Sequence, residues 1–347
     1  MFLQDRLCRT LTSMASLALA VGLFQAPAAA QYKITNLVSN QKGGAMHVDT
    51  DLVNAWGIAY APTGPFWVSD NGTGLSTLYT GSGVKQSLIV TIPPASGTRK
   101  GAPTGQVYNS TPDFVVTQNG VSGAAVFIFA TSDGTISGWS PTVNGTAAVI
   151  AVNNSGSGAS YTGLAIGTNG GANFIYAADN ANNKVDIYDG DFNFVGSFTD
   201  TSLPAGSAPY NVQDIKGRLY VTFTNSSGGG VVDIFSTAGN FIKTFATGGT
   251  LKSPWGLALA PKTFGTASNT LLVGDLGDGR INSFNFSTGK FIGQLKSSTG
   301  TTLSVSGLWG LTFGGGNSMN GNTNQLFFTA GPTGYANGLF GVIAVSN

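Results

Sequence analysis

The residues best equipped for chemistry in this chain are acids and amides that close short apolar strands, and large aromatics that open others. Asp70-Asn71, Asp179-Asn180, Asp275 and the nearby Asp278 sit at strand ends, while Trp56, Tyr210, Trp255 and Trp309 sit at strand starts. Aromatic faces beside carboxylate and amide oxygens suit stacking against a sugar or another neutral polar ligand. Carboxylates brought close together would also hold a hard cation, or serve as ligands and bases for a metal-bound water. The loop Asp275-Leu276-Gly277-Asp278-Gly279 offers part of a calcium cage without the distant acidic ligand of an EF-hand loop, so Asp275 and Asp278 are the metal candidates and calcium the one ion considered. The same residue types also build structure: Asp and Asn cap tight turns, and a large aromatic fills the gap between neighbouring sheets.

Other routes to catalysis lack their parts. The single histidine, His47, excludes a metal site built on two or three imidazoles within one chain. It precedes Asp49 and Asp51 in the loop leading to Trp56, which would bring it near the same aromatic mouth. No G-x-S-x-G elbow, P-loop or dinucleotide fingerprint occurs, so neither a serine triad nor a nucleotide cofactor is implied.

The elements that carry these residues recur. Trp56-Gly57-Ile58-Ala59 leads to Phe66-Trp67-Val68-Ser69-Asp70, and Trp255-Gly256-Leu257-Ala258 leads to Leu271-Leu272-Val273-Gly274-Asp275. Self-similarity at a spacing of about 50 residues means one sheet-sized unit repeated around an axis. Six such units are counted, beginning near Trp56, Phe114, Tyr161, Tyr210, Trp255 and Trp309. Apolar and polar residues alternate within each, and Gly, Asn and Asp mark the turns. The last unit runs out of chain after three strands, and an unassigned strand, Tyr32 to Val38, stands before the first. These two facts predict an all-β, six-bladed β-propeller closed by an N-terminal strand that completes the last blade. In such a ring these aromatics and acids would converge on one mouth of the central channel. Two Gly-, Ser- and Thr-rich stretches, 93–111 and 314–324, read as rim insertions in preference to lids.

The fifth unit carries a family pattern. Pro254-Trp255-Gly256-Leu257-Ala258, then Leu272-Val273-Gly274-Asp275, Gly279-Arg280-Ile281 and Gly289-Lys290-Phe291 resemble the NHL repeat. Over the whole chain, Asn36-Leu37-Val38-Ser39, Leu52-Val53-Asn54-Ala55-Trp56-Gly57 and Gly307-Leu308-Trp309-Gly310-Leu311 look like a family of exported bacterial six-bladed propellers of unknown function. Many members of that family end in a sorting anchor, and no such signal precedes Asn347.

The first 30 residues read as a signal peptide. Arg6 and Arg9 precede an apolar run from Leu11 to Phe24, and Ala28-Ala29-Ala30 supplies small residues for cleavage near Ala30. Residues 31–347 then form a single propeller domain, secreted or periplasmic. Removing Arg6, Arg9 and Asp5 from 16 basic and 15 acidic residues leaves 14 of each, a net charge near zero that disfavours nucleic acid and anionic membranes. The one cysteine, Cys8, lies in the leader, so the mature domain has neither disulfides nor thiolate metal sites. These readings point to an exported, monomeric binding or scaffold module for a polysaccharide, a protein or a small polar ligand on the Trp- and Asp-bearing face. The alternative is a metal-assisted hydrolase or lyase that uses Asp70, Asp179 and Asp275.

Overall fold

A computed structural model describes residues 31–346; the leader and Asn347 lie outside the described residues. Six sheets, antiparallel except for a short parallel outer pairing in the last, surround one axis, and no α-helix occurs among the described residues. Blade 1 runs Ala55–Tyr60, Phe66–Asp70, Leu75–Tyr79 and Lys85–Thr91 from the axis outward. Blades 3, 4 and 5 repeat that order with innermost strands Tyr161–Asn169, Ala208–Asp214 and Pro254–Leu259.

Blade 6 closes the ring. Its strands Leu308–Phe313, Gln325–Ala330 and Leu339–Ser346 are completed by Gln31–Ser39, which pairs antiparallel with the C-terminal strand from Gln31↔Ser346 to Ser39↔Leu339. The predicted closure is present. Tyr32 fastens it further: its hydroxyl donates to the carbonyl of Phe264 (3.0 Å) and accepts the N–H of Ala267 (2.9 Å), both in blade 5.

Blade 2 departs from the expected assignment. Its innermost strand is Pro103–Tyr108, inside the stretch read as a rim insertion, whereas Val115–Gln118 pairs with Val121–Ala124 in a separate hairpin. The reason is local. Thr104 stands where four other blades carry Trp or Tyr, so the strand lacks the aromatic signal that marks its counterparts. The second stretch, 314–324, is pinned to blade 1: Asn317 and Asn320 donate through Nδ2 to the carbonyl of Pro62 (2.9 and 3.1 Å), and Asn320 also to that of Gly64 (3.2 Å). It is a fastened insertion.

Strand periodicity of two explains why the ring holds together. Successive side chains point to opposite faces of a blade, so each blade feeds two interfaces. Phe66 and Val68 join Phe327 and Phe340 between blades 6 and 1, while the intervening Trp67 joins Phe127 and Phe129 between blades 1 and 2. Six clusters of buried apolar side chains, one at each junction, form the core, and a seventh lies on the axis.

Candidate functional site

The six innermost strands reach the axis in a common register. At equivalent positions they carry Trp56, Thr104, Thr162, Tyr210, Trp255 and Trp309, followed in turn by Gly57, Gly105, Gly163, Asn211, Gly256 and Gly310. Each strand slips its pairing with the next strand outward at this point. Such bulges bend the strand and re-aim its side chains. The glycines permit contact between neighbouring backbones: a Cβ on Gly57 would collide with the carbonyl of Thr104, and one on Gly105 with the N–H of Leu164. Asn211, the exception, uses its side chain for the same closure and donates from Nδ2 to the carbonyl of Trp255 (2.8 Å).

Above this waist the aromatics fill the axis. Trp56 and Trp309 stack with centroids 3.7 Å apart, Trp255 meets both edge-on at 6.4 and 6.0 Å, and Tyr210 meets Trp309 at 5.8 Å. The indole N–H of Trp309 donates to Asn54 Oδ1 (2.9 Å) and that of Trp255 to the carbonyl of Thr162 (3.0 Å). Trp56, Trp255 and Trp309 are only 9, 5 and 1 % exposed. The aromatics expected at one mouth do gather there, as a plug packed against itself.

The acids expected beside them serve their own blades. Asp70 Oδ2 accepts the N–H of Thr77 (3.1 Å) and lies 2.7 Å from its hydroxyl. Asp179 accepts from Ser160 N–H (3.0 Å) and from Asn182 through N–H and Nδ2 (3.3 and 2.7 Å). Asp275 Oδ2 accepts from Asn282 Nδ2 (2.6 Å). Asn71 and Asn180 are staples to the next blade, donating to the carbonyls of Pro103 (3.2 Å) and Pro209 (3.0 Å). Asp278 accepts the N–H of Arg280 (3.0 Å), with the Arg280 side chain 3.7 Å away. Among the described residues no three His, Cys, Asp or Glu side chains form a group able to hold a metal ion. His47 is on the outermost strand of blade 6, paired with Val38, at the end of that sheet opposite the axis.

Burial changes what these acids are. It pushes the Asp70 carboxyl well above the ordinary range, with Asp49 adding to the rise against the opposing bonds from Thr77. Asp275 is raised to about 8, chiefly by burial and further by Asp278. Asp233, which was not expected at a site, is raised to about 7 by burial, with Asp200 adding to the rise. Its position inside the apolar run Val231-Val232-Asp233-Ile234-Phe235 was the available signal.

Below the plug the axis opens into a cavity of about 330 Å³, to which all six innermost strands contribute. Each of these strands is paired on one side only, so its other edge of N–H and C=O groups faces the axis. Trp255 forms part of the wall near the plug, Gln106 and Gln213 add amides, Thr312 a hydroxyl, and Tyr60, Tyr108 and Asp214 lie toward the far ends of their strands. Gln106 is already engaged: it donates to the carbonyls of Trp67 and Gly57 and accepts from Ser69 Oγ. The wall therefore combines small aliphatic side chains with backbone polar groups. It offers shape and hydrogen bonding to a small molecule but no acid, base and nucleophile set in mutual contact.

No protein-family model matches the chain. Two uncharacterised proteins of Acanthamoeba polyphaga mimivirus are similar to it along most of their length. One is 29 % identical over 331 residues, covering 90 % of this chain and 80 % of its own. The other is 30 % identical over 303 residues, covering 82 % and 79 %. The chain belongs to the family of these viral proteins. Membership brings no activity with it, because both relatives are uncharacterised. Among solved structures, a streptogramin B lyase matches with a TM-score of 0.54 at 13 % identity, over 91 % of this chain and 97 % of that one. A PQQ-bound aldose sugar dehydrogenase from Streptomyces coelicolor matches with a TM-score of 0.55 at 14 % identity, over 92 % and 99 %. These likenesses show the propeller fold alone.

Proposed function

We propose that the protein is an exported, NHL-like propeller that works as a binding module without catalysis, and that its ligand occupies the axial cavity below the tryptophan plug. The observation that carries this reading is the cavity itself: a partly open, mixed polar and apolar space on the symmetry axis, bounded by six strand edges and closed at one end by buried aromatics. Concave sites of this kind are where folded proteins commonly hold small molecules. The export reading rests on the leader-like residues Arg6, Arg9 and Leu11 to Ala30. The Trp- and Asp-bearing mouth is less suited to ligand, since its tryptophans are buried against one another and its acids and amides are bonded within or between blades. Trp255 is the member of that set that reaches the cavity.

Saturation-transfer NMR with a panel of small polyols, amides and amines tests the reading. Gln213→Trp fills the cavity from a half-buried wall position. Signals seen with the parent protein and lost in this variant, at unchanged circular dichroism, support the cavity. Signals that persist in it overturn the assignment.

A further inference from the structure

The charge on the cavity wall is asymmetric. Among the side chains that line it, Asp214 is the only carboxylate, and Lys, Arg and His are absent. Asp214 closes the innermost strand of blade 4 and is half-buried. Its Oδ1 accepts the N–H of Gly217 (2.8 Å), which caps the following turn. Its Oδ2 lies over Gly167 of blade 3, where a Cβ would strike it. Ion pairs among the described residues are made by Asp49, Asp51, Asp186 and Asp278, and none by Asp214. From the neighbouring blade, the Tyr176 phenol donates to the carbonyl of Thr237 (2.6 Å) and is raised by burial and by Asp214. Arg218 meets Asp214 through its backbone N–H.

Across the ring, Tyr60 of blade 1 and Tyr108 of blade 2 line the opposite wall. Between the two walls run the strand edges, which present backbone carbonyls as acceptors beside neutral N–H donors. An uncompensated carboxylate, nearby acceptors and no cation make a space that repels anions and is complementary to a compact donor-rich cation. We propose that the cavity takes the protonated amine of a small organic molecule, with Asp214 as its counter-ion. The inference rests on reading the cavity as a binding site and names the ligand class for it.

Burial raises the Asp214 carboxyl above its ordinary value, and a bound cation would lower it again. Amine binding should therefore weaken as pH falls and Asp214 takes up a proton.

The test uses the whole mature protein and three isosteric probes, n-butylammonium, n-butanol and butyrate, followed by saturation-transfer NMR and Trp fluorescence. Near neutral pH, butylammonium should bind at least about tenfold more tightly than butanol, and butyrate should not bind. The preference should vanish in Asp214→Asn, whose amide oxygen keeps the Gly217 bond, and it should fade in the parent protein toward about pH 4. If butanol matches butylammonium, or if Asp214→Asn keeps the preference, the amine inference falls and the cavity reading stands. If none of the probes binds, both fall.

Discussion

The indole of Trp56 lies face to face with that of Trp309, with centroids 3.7 Å apart and ring planes 15° from parallel. One ring comes from blade 1 and the other from blade 6, so the pair spans the junction across which the propeller closes. The Asn54 bond to the Trp309 indole fixes the same junction. Trp309→Ala removes the stack and that bond and leaves a void on the axis. The expected cost is about 3–5 kcal/mol, measured by urea denaturation. Trp255→Ala should likewise lower stability. A loss of ligand binding with unchanged melting would mean that Trp255 serves as an open platform.

Stability should fall as pH rises from about 4 to about 8. The oxygens of Asp70, Thr77, Tyr79 and Asp49 form three successive contacts of 2.7, 2.9 and 2.6 Å. The two hydroxyls supply two protons for three contacts. A carboxyl proton completes the set, and burial raises the Asp70 carboxyl well above its ordinary range. Burial also raises Asp275 to about 8 and Asp233 to about 7. Each of these groups holds a proton in the folded state that it loses on unfolding at intermediate pH, so their contribution is complete below the unfolded carboxyl range and is lost through the folded one. Burial works against the Asp200 charge, but the bonds from Ser202 lower this carboxyl on balance, so its contribution has the opposite sign and is lost as pH falls. Melting temperatures across this range check the sign. Asp275→Asn, which mimics the protonated acid, should flatten the slope at its alkaline end.

Loss of the Tyr32 hydroxyl isolates one part of the closure. Tyr32→Phe leaves the buried Phe264 carbonyl and Ala267 N–H without their partner, at an expected cost of about 1–3 kcal/mol. Removing residues 31–39 altogether exposes the edge of the C-terminal strand and should abolish cooperative melting.

Gly105→Ala tests the waist. The added methyl meets the backbone of Leu164 and Gly163 in blade 3, which no rotamer change relieves. The expected destabilisation is about 1–3 kcal/mol by denaturant titration, whereas Gly145→Ala, in open space, should cost far less.

Much of the architecture could be read from residues alone, because Trp56-Gly57-Ile58-Ala59 and its counterparts repeat the same strand pattern. The surplus strand at Tyr32 and the deficit after Ile343 were both visible as well. Blade 2 was not, since Pro103-Thr104-Gly105-Gln106 carries no aromatic and its apolar content is low. The gathering of Trp56, Trp255 and Trp309 was legible, but their burial was not, because it depends on six strands meeting at one radius. The partners of Asp70 and Asp275 are residues seven positions on, reached across a hairpin whose register local sequence does not state. The cavity left little trace, for its wall is mostly backbone edge and small side chains.

The most direct test of the binding claim is ¹³C-methyl NMR of residues 31–347, titrated with butylammonium and with a set of small neutral polyols. Shifts confined to the methyls of Ile58, Leu164, Ile166, Leu257 and Leu311, which surround the axial cavity, are the expected result. Shifts centred on Leu276 beside the tryptophan plug, or none at all, would contradict it.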